Sequence, residues 1–193
     1  MEAKPSKQTS FHALFGLNFM VQERIKAYKI VSHQFLTLLR MTFFEYANSP
    51  LGKILGFFQK RNIPIRFFTA DVSLKGELTL NIGVDLLSEE VMEEVTDNLK
   101  FLKSHHELAL ISQVSMAMVY GPHFGETPGI AALALSTLTD SGISLLATTA
   151  SSSSFSCIFP SSQFRTALEI FHAIFEPPQE NLYWRDNRAE LRK

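Results

Sequence analysis

The sequence contains very little cysteine: Cys157 is the only one among 193 residues. A single thiol excludes an internal disulfide framework and any paired-cysteine zinc or redox motif. This usage is typical of a reducing compartment, so we expect a cytoplasmic protein. Cys157 alternates with Phe155 and Phe159 in a short apolar segment, which predicts a small buried hydrophobic residue.

Charge of one sign is also lacking, since 18 basic and 19 acidic residues give a formal net charge of -1. Nucleic-acid binding relies on a basic surface, so we expect no nucleic-acid partner. No segment approaches the ~18 uninterrupted apolar residues of a membrane span, so we expect no membrane partner either. Hydrophobic residues make up 46% of the chain and include 17 Phe, which suits a packed core and a buried interface.

Groups of residues that could carry catalysis or hold a metal are absent from the pattern. His105 and His106 are adjacent and therefore point in different directions, and His123 stands alone in a loop, whereas a metal site needs three or four ligands. No nucleophile has a matched base and orienting group. We expect no metal, no cofactor and no enzymatic activity.

Residues 1–35 are predicted to form an N-terminal tail and an amphipathic helix. The helix should pack on the body of the protein or on a second subunit; a membrane-surface helix is the alternative, but its polar face has few Lys and Arg. The apolar stripe with helical spacing consists of Leu14, Leu17, Val21, Ile25, Tyr28, Val31 and Phe35.

Residues 36–108 alternate strand and helix patterns and are predicted to form one unit. The strands are "FLTLLRMTFF", "IPIRFFTAD" and "GELTLNIGVD"; the helices are "NSPLGKILGFFQKRN" and a segment that Ser88 opens. In the third strand, apolar residues at every second position predict one buried face and one polar face. These apolar residues are Leu78, Leu80, Ile82 and Val84.

Residues 109–178 repeat the same order. Strands are predicted at "VSMAMVYG", "ISLLATTA" and "FSCIF", and helices at "PGIAALALSTLTDSG" and after Ser161 or Ser162. Residues 56–69 align with 135–148 without a gap, which indicates an internal duplication.

The two series predict an α+β protein: two ferredoxin-like βαββαβ units with antiparallel sheets, preceded by the N-terminal helix. The sheet of each unit has unpaired edges, which would be covered by the two units side by side or by the units of two chains. We expect a homodimer. The Phe-Phe pairs are then core and subunit contacts. Residues 179–193 form a C-terminal tail, in which Tyr183 and Trp184 suggest docking.

Two segments of the second unit resemble a known family. "GPHFGETPGI" is similar to the G-x-G-M-x-x-x-P-G-V loop of the ACT domains at the C-terminus of aspartokinases, and "GISLLATTASSSSFSCIF" is similar to the segment that follows there. The residues in matching or near-matching positions are Gly121, Phe124, Pro128, Gly129, Gly142, Ile143, Ser151, Ser156 and Cys157. The likeness covers about residues 36–175 and is weaker in the first unit.

The resemblance implies a fold of paired ACT units that bind a small effector, often an amino acid, at their interface. It implies no kinase activity, because the kinase domain is absent. Ser144 replaces the family's Asn and Ser152 replaces its Glu, and Leu51 stands in the first unit where Gly129 stands in the second. The ligand-binding residues that we carry over are Gly121, Phe124, Glu126, Thr127, Pro128, Gly129, Ile130, Ser144 and Leu145, with Asn48, Ser49 and Pro50 in the first unit.

The loop residues allow two interpretations. Pro128 has no NH, while Gly129 and the residues after it present free NH groups at the positive end of a helix, where an amino acid carboxylate could bind. Alternatively, the loop is only a structural start of the helix. The run Ser151–Ser154 reads as a flexible linker by composition, but the register with the family favours a hairpin.

The function expected from the sequence is a non-catalytic regulatory chain. It would sense an amino acid and modulate a partner enzyme of the aspartokinase type or another enzyme of amino-acid metabolism. The alternative is a structural or dimerisation module in which the same fold has lost ligand binding.

Overall fold

The structure is a computed structural model that describes residues 24–43, 51–100, 106–122 and 124–178. Strands and helices alternate along these ranges, in an order that repeats once. The elements are β1 (Ile25–Lys26), β2 (Lys29–Phe43), α1 (Leu51–Lys60), β3 (Ile65–Val72), β4 (Leu78–Asp85), α2 (Glu89–Lys100), β5 (His106–Tyr120), α3 (Ile130–Asp140), β6 (Ala147–Ala150), β7 (Ser154–Pro160), a 3-10 turn (Ser161–Gln163), α4 (Phe164–Ile174) and β8 (Phe175–Glu176).

Six of the strands form one antiparallel sheet in the order β3-β4-β2-β5-β7-β6. The short strands β1 and β8 pair in parallel beside it. The prediction of an α+β protein with antiparallel pairing is confirmed. The two central strands, β2 and β5, are each 15 residues long, roughly three times the usual length.

Both long strands bend near their middle. Phe35 in β2 and Gln113 in β5 have φ values of 56° and 55°, a left-handed conformation that is rare outside glycine. The β2–β5 register shifts at the same place, between His33 and Leu36 and again between Leu36 and Leu38. Such irregularities bend a strand and increase its twist.

The bends fold the sheet onto itself. In a flat sheet β4 and β7 would lie about 14 Å apart, because two strands separate them. Yet a Cβ placed on Gly83 in β4 would lie only 3.1 Å from Cδ1 of Ile158 in β7. The two ends of the sheet therefore face each other, and the helices pack on the outer faces.

Each long strand forms part of both halves of the sheet. The first half of the molecule has the order β3, β4, residues 36–43 of β2 and residues 106–111 of β5, with α1 and α2. The second half has the order β6, β7, residues 114–120 of β5 and residues 29–33 of β2, with α3 and α4. The predicted unit boundary between residues 108 and 109 therefore falls inside a strand.

The predicted N-terminal helix is wrong for residues 25–35, which form β1, a two-residue connection and the first part of β2. Ile30 and Ser32 are buried at strand spacing, whereas Tyr28, a member of the predicted helical stripe, is 60% exposed. Backbone pairing with β5, which is distant in sequence, stabilises the strand conformation of residues 29–33, although their local apolar spacing fits a helix. Residues 14–23 of the predicted helix lie outside the described residues, as does the tail from 179.

The remaining predicted helices and strands are found where the structure describes them, with two differences in extent. Residues 143–146 of the predicted strand "ISLLATTA" are not in a strand, and β5 begins at His106, well before the predicted "VSMAMVYG". The alternating apolar residues of β4 are all buried, with 1% exposure or less. The expected polar face of β4 is covered as well, because Asn81 and Gly83 face the opposite end of the folded sheet. Asn81 is buried and accepts a hydrogen bond at Oδ1 from Nε of Arg40, 2.9 Å away.

Arg40 connects the two halves by polar contacts. It lies on β2 in the first half, and its Nη2 donates to the carbonyl of Leu146, just before β6 in the second half. Asn81 continues the network, since its Nδ2 donates to Oγ1 of Thr69, 3.1 Å away. The facing apolar side chains around this network are Leu36, Leu38, Phe67, Val114, Met116 and Ile158.

Each half has its own core under its helices. The first is mainly aliphatic and includes Ile54 and Phe58 of α1 with the apolar residues of β4. The second is rich in aromatic residues, namely Phe155, Phe159, Phe171 and Phe175. Cys157 lies in the second core without exposure, and burial raises the pKa of its thiol to about 12. The prediction of a buried hydrophobic cysteine is confirmed.

Two absences hold within the described ranges. No helix there is both long and apolar enough to cross a membrane. Nor do the described His, Cys, Asp and Glu residues form a group that could hold a metal ion. His105 and His123 lie outside the description.

Candidate functional site

The loop that resembles the ACT effector loop connects β5 to α3. Its backbone is held against the serine turn: the NH of Gly121 donates to the carbonyl of Ser153 at 3.0 Å, and the NH of Gly125 donates to the carbonyl of Ser152 at 2.8 Å. Glu126, Thr127, Pro128 and Gly129 are exposed beyond these contacts. The hydrogen bonds at Gly121 and Gly125 therefore anchor the loop, and its exposed end is residues 126–129.

The serine run is a hairpin turn, as the family register predicted, and the linker alternative is wrong. It joins β6 to β7, which pair from Ala150 with Phe155 to Ala147 with Ile158. Oγ of Ser151 accepts from the NH of Ser153 and of Ser154, at 3.2 and 3.0 Å. The serines bond their own backbone and one another.

Gly129 forms an open start to α3. Its φ is 90°, a left-handed conformation that favours glycine, and no side chain caps the helix there. A Cβ added to Gly129 would have no heavy atom within 4 Å. The carbonyl of Gly129 accepts the first intrahelical bond, from the NH of Leu133 at 2.8 Å. The NH groups of residues 130–132 have no helical acceptor, so they favour an anion.

Three of the predicted ligand residues lie on the buried side of the loop. The ring of Phe124 stacks on Phe175 with centroids 5.7 Å apart and packs on the second core. A Cβ on Gly121 would overlap that ring. Ile130 is also buried in the core, with 5% exposure. These residues hold the loop, and its exposed residues with polar side chains are Glu126 and Thr127.

Ser144 and Leu145 lie at the other end of α3. The helix has 11 residues and is therefore about 16 Å long. The NH of Ser144 donates to Oε1 of Gln163 at 2.9 Å, and Nε2 of Gln163 donates to the carbonyl of Gly142 at 3.0 Å. Within one chain, the structure does not bring these two residues to Gly129.

The first-half counterpart of the loop, Asn48, Ser49 and Pro50, lies outside the described residues. The description resumes at Leu51, where α1 begins.

A cleft between α1 and α2 was not predicted from the sequence. It encloses about 500 Å³, and an ion pair between Arg61 and Glu94 crosses its side. We call it the α1–α2 cleft; it is lined by Gly52, Lys53, Ile54, Gly56, Phe57, Phe58, Lys60, Arg61, Glu94 and Val95. The only sequence signal was the glycine pair inside a predicted helix, where glycine is unfavourable.

No protein-family profile and no curated protein sequence matches this chain. Solved structures do. The regulatory subunit of aspartate kinase from Thermus thermophilus superposes with a TM-score of 0.63 at 15% identity, over 78% of this chain and 99% of that one. Aspartate kinase from Synechocystis superposes with a TM-score of 0.66 at 16% identity, over 83% of this chain and 29% of that one.

A third similar structure is E. coli aspartokinase III in complex with lysine and aspartate, with a TM-score of 0.52, 15% identity, and coverage of 80% of this chain and 35% of that one. At these identities the likeness establishes the fold. The predicted resemblance to the regulatory region of aspartokinases is confirmed at that level. The chain spans nearly the whole of a regulatory subunit and about a third of a full kinase.

Proposed function

We propose that the chain is a non-catalytic, cytoplasmic regulatory protein of two ferredoxin-like ACT units that binds an amino acid and modulates an aspartokinase-like or other amino-acid-pathway enzyme. The observation that carries the proposal is the open, uncapped helix start at Gly129 on a fixed loop. The similarity to a regulatory subunit over 99% of that subunit supports it.

The chemistry of the site suits an amino acid. The carboxylate would accept hydrogen bonds from the NH groups at the start of α3, with the helix dipole adding attraction. The carboxylate of Glu126 and the hydroxyl of Thr127, both on exposed residues, would bind the ammonium group. Gly129 allows the ligand to approach the backbone because it has no Cβ.

A homodimer would complete the site. Ser144 and Leu145 are about one helix length from Gly129 in the same chain, so they would reach this ligand from a second copy. A ligand that bridges two chains would stabilise the dimer and change its geometry. That coupling is a physical route by which effector binding would be communicated to a partner enzyme.

The proposal is tested by measuring the melting temperature with each of the common amino acids in turn. A ligand at 100 times its Kd adds about 2.7 kcal/mol of stability. For a chain of this size the shift is roughly 5 to 10 °C. A shift with one or a few amino acids supports the proposal, and unchanged melting across all of them contradicts it.

Gly129→Ala locates the ligand, and Gly142→Ala is its matched control. Both glycines have positive φ, 90° and 78°, and neither has a neighbour within 4 Å of a Cβ, so alanine should cost each site about 1–2 kcal/mol through the backbone. They lie at opposite ends of α3. Only Gly129→Ala should reduce the ligand-induced shift, and equal shifts in the two variants would place the ligand elsewhere.

A structural or dimerisation module remains the second candidate. It is favoured by the packing of Gly121 and Phe124, which accounts for two residues of the motif without a ligand. In that case the dimer would form and no amino acid would raise the melting temperature.

A further inference from the structure

Residues 141–146 connect α3 to β6 without forming a helix or a strand. We call them the α3–β6 segment. It contains Ser144 and Leu145, the two predicted ligand residues that lie about one helix length from Gly129 in the same chain. Because the segment has no regular backbone pairing, other contacts determine where these two residues lie.

The side chain of Gln163 holds the first part of the segment. Its Oε1 accepts a hydrogen bond from the NH of Ser144 at 2.9 Å, and its Nε2 donates to the carbonyl of Gly142 at 3.0 Å. One carboxamide thus bonds the backbone on both sides of Ile143, as a neighbouring strand would. Ile143 itself is buried in the second core, with 5% exposure.

The position of Gln163 in the chain does not explain its side-chain contacts. It directly precedes α4, which begins at Phe164, but its side chain makes no capping hydrogen bond to that helix. Glutamine is also not among the residues that favour the N-cap position. The carboxamide therefore bonds the α3–β6 segment and not the helix that it precedes.

The other end of the segment is held at Leu146. Its NH donates to the carbonyl of Ile158 at 2.8 Å, and its carbonyl accepts from Nη2 of Arg40. Between the two anchors, the carbonyl of Ser144 and both backbone groups of Leu145 have no hydrogen-bond partner within the described part of the chain. Ser144 is exposed and Leu145 is partly exposed, so these groups are open to an external partner.

We infer that Gln163 is a positioning residue of the amino acid site. It fixes the backbone at Gly142 and Ser144, so that the open groups of Ser144 and Leu145 meet a ligand bound at Gly129 of a second copy. The inference rests on the proposed function and adds a residue that acts without touching the ligand. Gln163 lies 19 residues after Ser144 in the sequence, outside both segments that resemble the family.

Gln163→Met tests the inference, because methionine has a similar length but cannot donate a hydrogen bond and accepts one only weakly. The probes are the common amino acids, each titrated separately in a calorimeter. The variant should bind about tenfold more weakly than the wild type. Gln163→Asn keeps the carboxamide on a side chain one methylene shorter and should bind as weakly. Gln59→Met, at an exposed position of α1, is the control that should bind like the wild type.

Ser161→Ala separates positioning from a general loss of stability. The hydroxyl of Ser161 is 2.8 Å from that of the buried Ser115, and this hydrogen bond joins the turn before α4 to β5 and not to the α3–β6 segment. Ser161→Ala and Gln163→Met should both lower the urea midpoint, whereas only Gln163→Met should weaken binding. Equal weakening in the two variants would overturn the inference.

A mixed dimer shows whether the segment acts on the other copy. One Gly129→Ala chain and one Gln163→Met chain are combined, and the mixed dimer is isolated through two different affinity tags. One of its sites then combines both changes and the other has neither, so the mixed dimer should bind about one amino acid with wild-type affinity. Each variant alone should bind weakly.

Wild-type affinity in Gln163→Met or in Gln163→Asn would overturn the inference, as would a mixed dimer without a wild-type site or a wild type that binds as a monomer. If the wild type binds no amino acid, the proposed function fails and this inference fails with it. If the wild type and Gln163→Met bind an amino acid equally well, only the role of Gln163 is wrong.

Discussion

The two halves of the molecule have the same order of elements but enclose different interiors. In the second half, α3 and α4 touch and aromatic rings fill the space beneath them. In the first half, the core is aliphatic and a cleft of about 500 Å³ remains between α1 and α2. The order of the strands is therefore the same in both halves, whereas the side chains determine whether the two helices of each half are in contact.

The sequences of the paired helices explain the difference. In α3, "IAALALSTLTD", the buried Ala134 allows close packing, and Ala167 does the same in α4. In α1, "LGKILGFFQK", only Ile54 and Phe58 are buried. A Cβ on Gly52 or Gly56 would meet no heavy atom of the described residues within 4 Å. Small residues permit close contact only where they face the neighbouring helix.

The largest expected effect is a loss of stability that differs between the cores of the two halves. Phe171→Ala should cost about 3–5 kcal/mol, because the ring is fully buried between Phe155 and Phe175. Phe57→Ala, at the border of the α1–α2 cleft, should cost clearly less, because that side chain is only partly buried. Urea unfolding of both variants measures the difference.

Equal losses from these two substitutions would contradict the comparison. They would mean that the cleft is filled in solution to the same density as the second core. Repeating the Phe57→Ala measurement at high dilution shows whether a second copy contributes to that filling.

A smaller effect concerns the contact between the halves. Arg40→Met keeps the apolar stem but removes the donors to Asn81 and to the carbonyl of Leu146, and should cost about 1–3 kcal/mol. Arg165→Met is the control: its ion pair with Glu169 is at the surface, with the arginine side chain 92% exposed, so it should matter little. If the halves were independent, Arg40→Met would produce two separate unfolding transitions.

The smallest expected effect is a pH dependence that comes from His172 in α4. Burial lowers the pKa of His172 below its ordinary value of 6.5, and Arg24 lowers it further. The unfolded state then binds more protons, so the contribution of His172 is fully present above pH 6.5 and is lost as pH falls through the lowered pKa. Urea midpoints of wild type and His172→Gln, compared above and below pH 6.5, should converge only at the lower pH.

A constant difference between those two proteins at all pH values would show that His172 has no shifted pKa.

Most strands and helices could be predicted because their burial follows their local period. The alternation along β4 and the stripe of α4 at Leu168, Phe171 and Ile174 correspond to residues that are buried in the structure. The helix start at Gly129 could also be predicted, because Pro-Gly before an apolar segment is typical of the first turn of a helix. The register with the family placed the serine hairpin correctly.

The course of the long strands could not be predicted, for a physical reason. The spacing Ile25, Tyr28, Val31, Phe35 fits a helix, and the left-handed residue at Phe35 interrupts the two-residue period that would have indicated a strand. The pairing partners of residues 29–33 lie 83–91 residues further along the chain, at 116–120. Local patterns carry no information about such a partner.

The pairing of β2 with β5 has a consequence for folding. A unit with only one of these strands would lack the neighbour that completes its sheet and would find it only in another molecule. Because both strands lie on one polypeptide, their pairing is an intramolecular step and not a bimolecular encounter. Neither half can then be excised as a free-standing domain, because each would leave with a strand that the other needs.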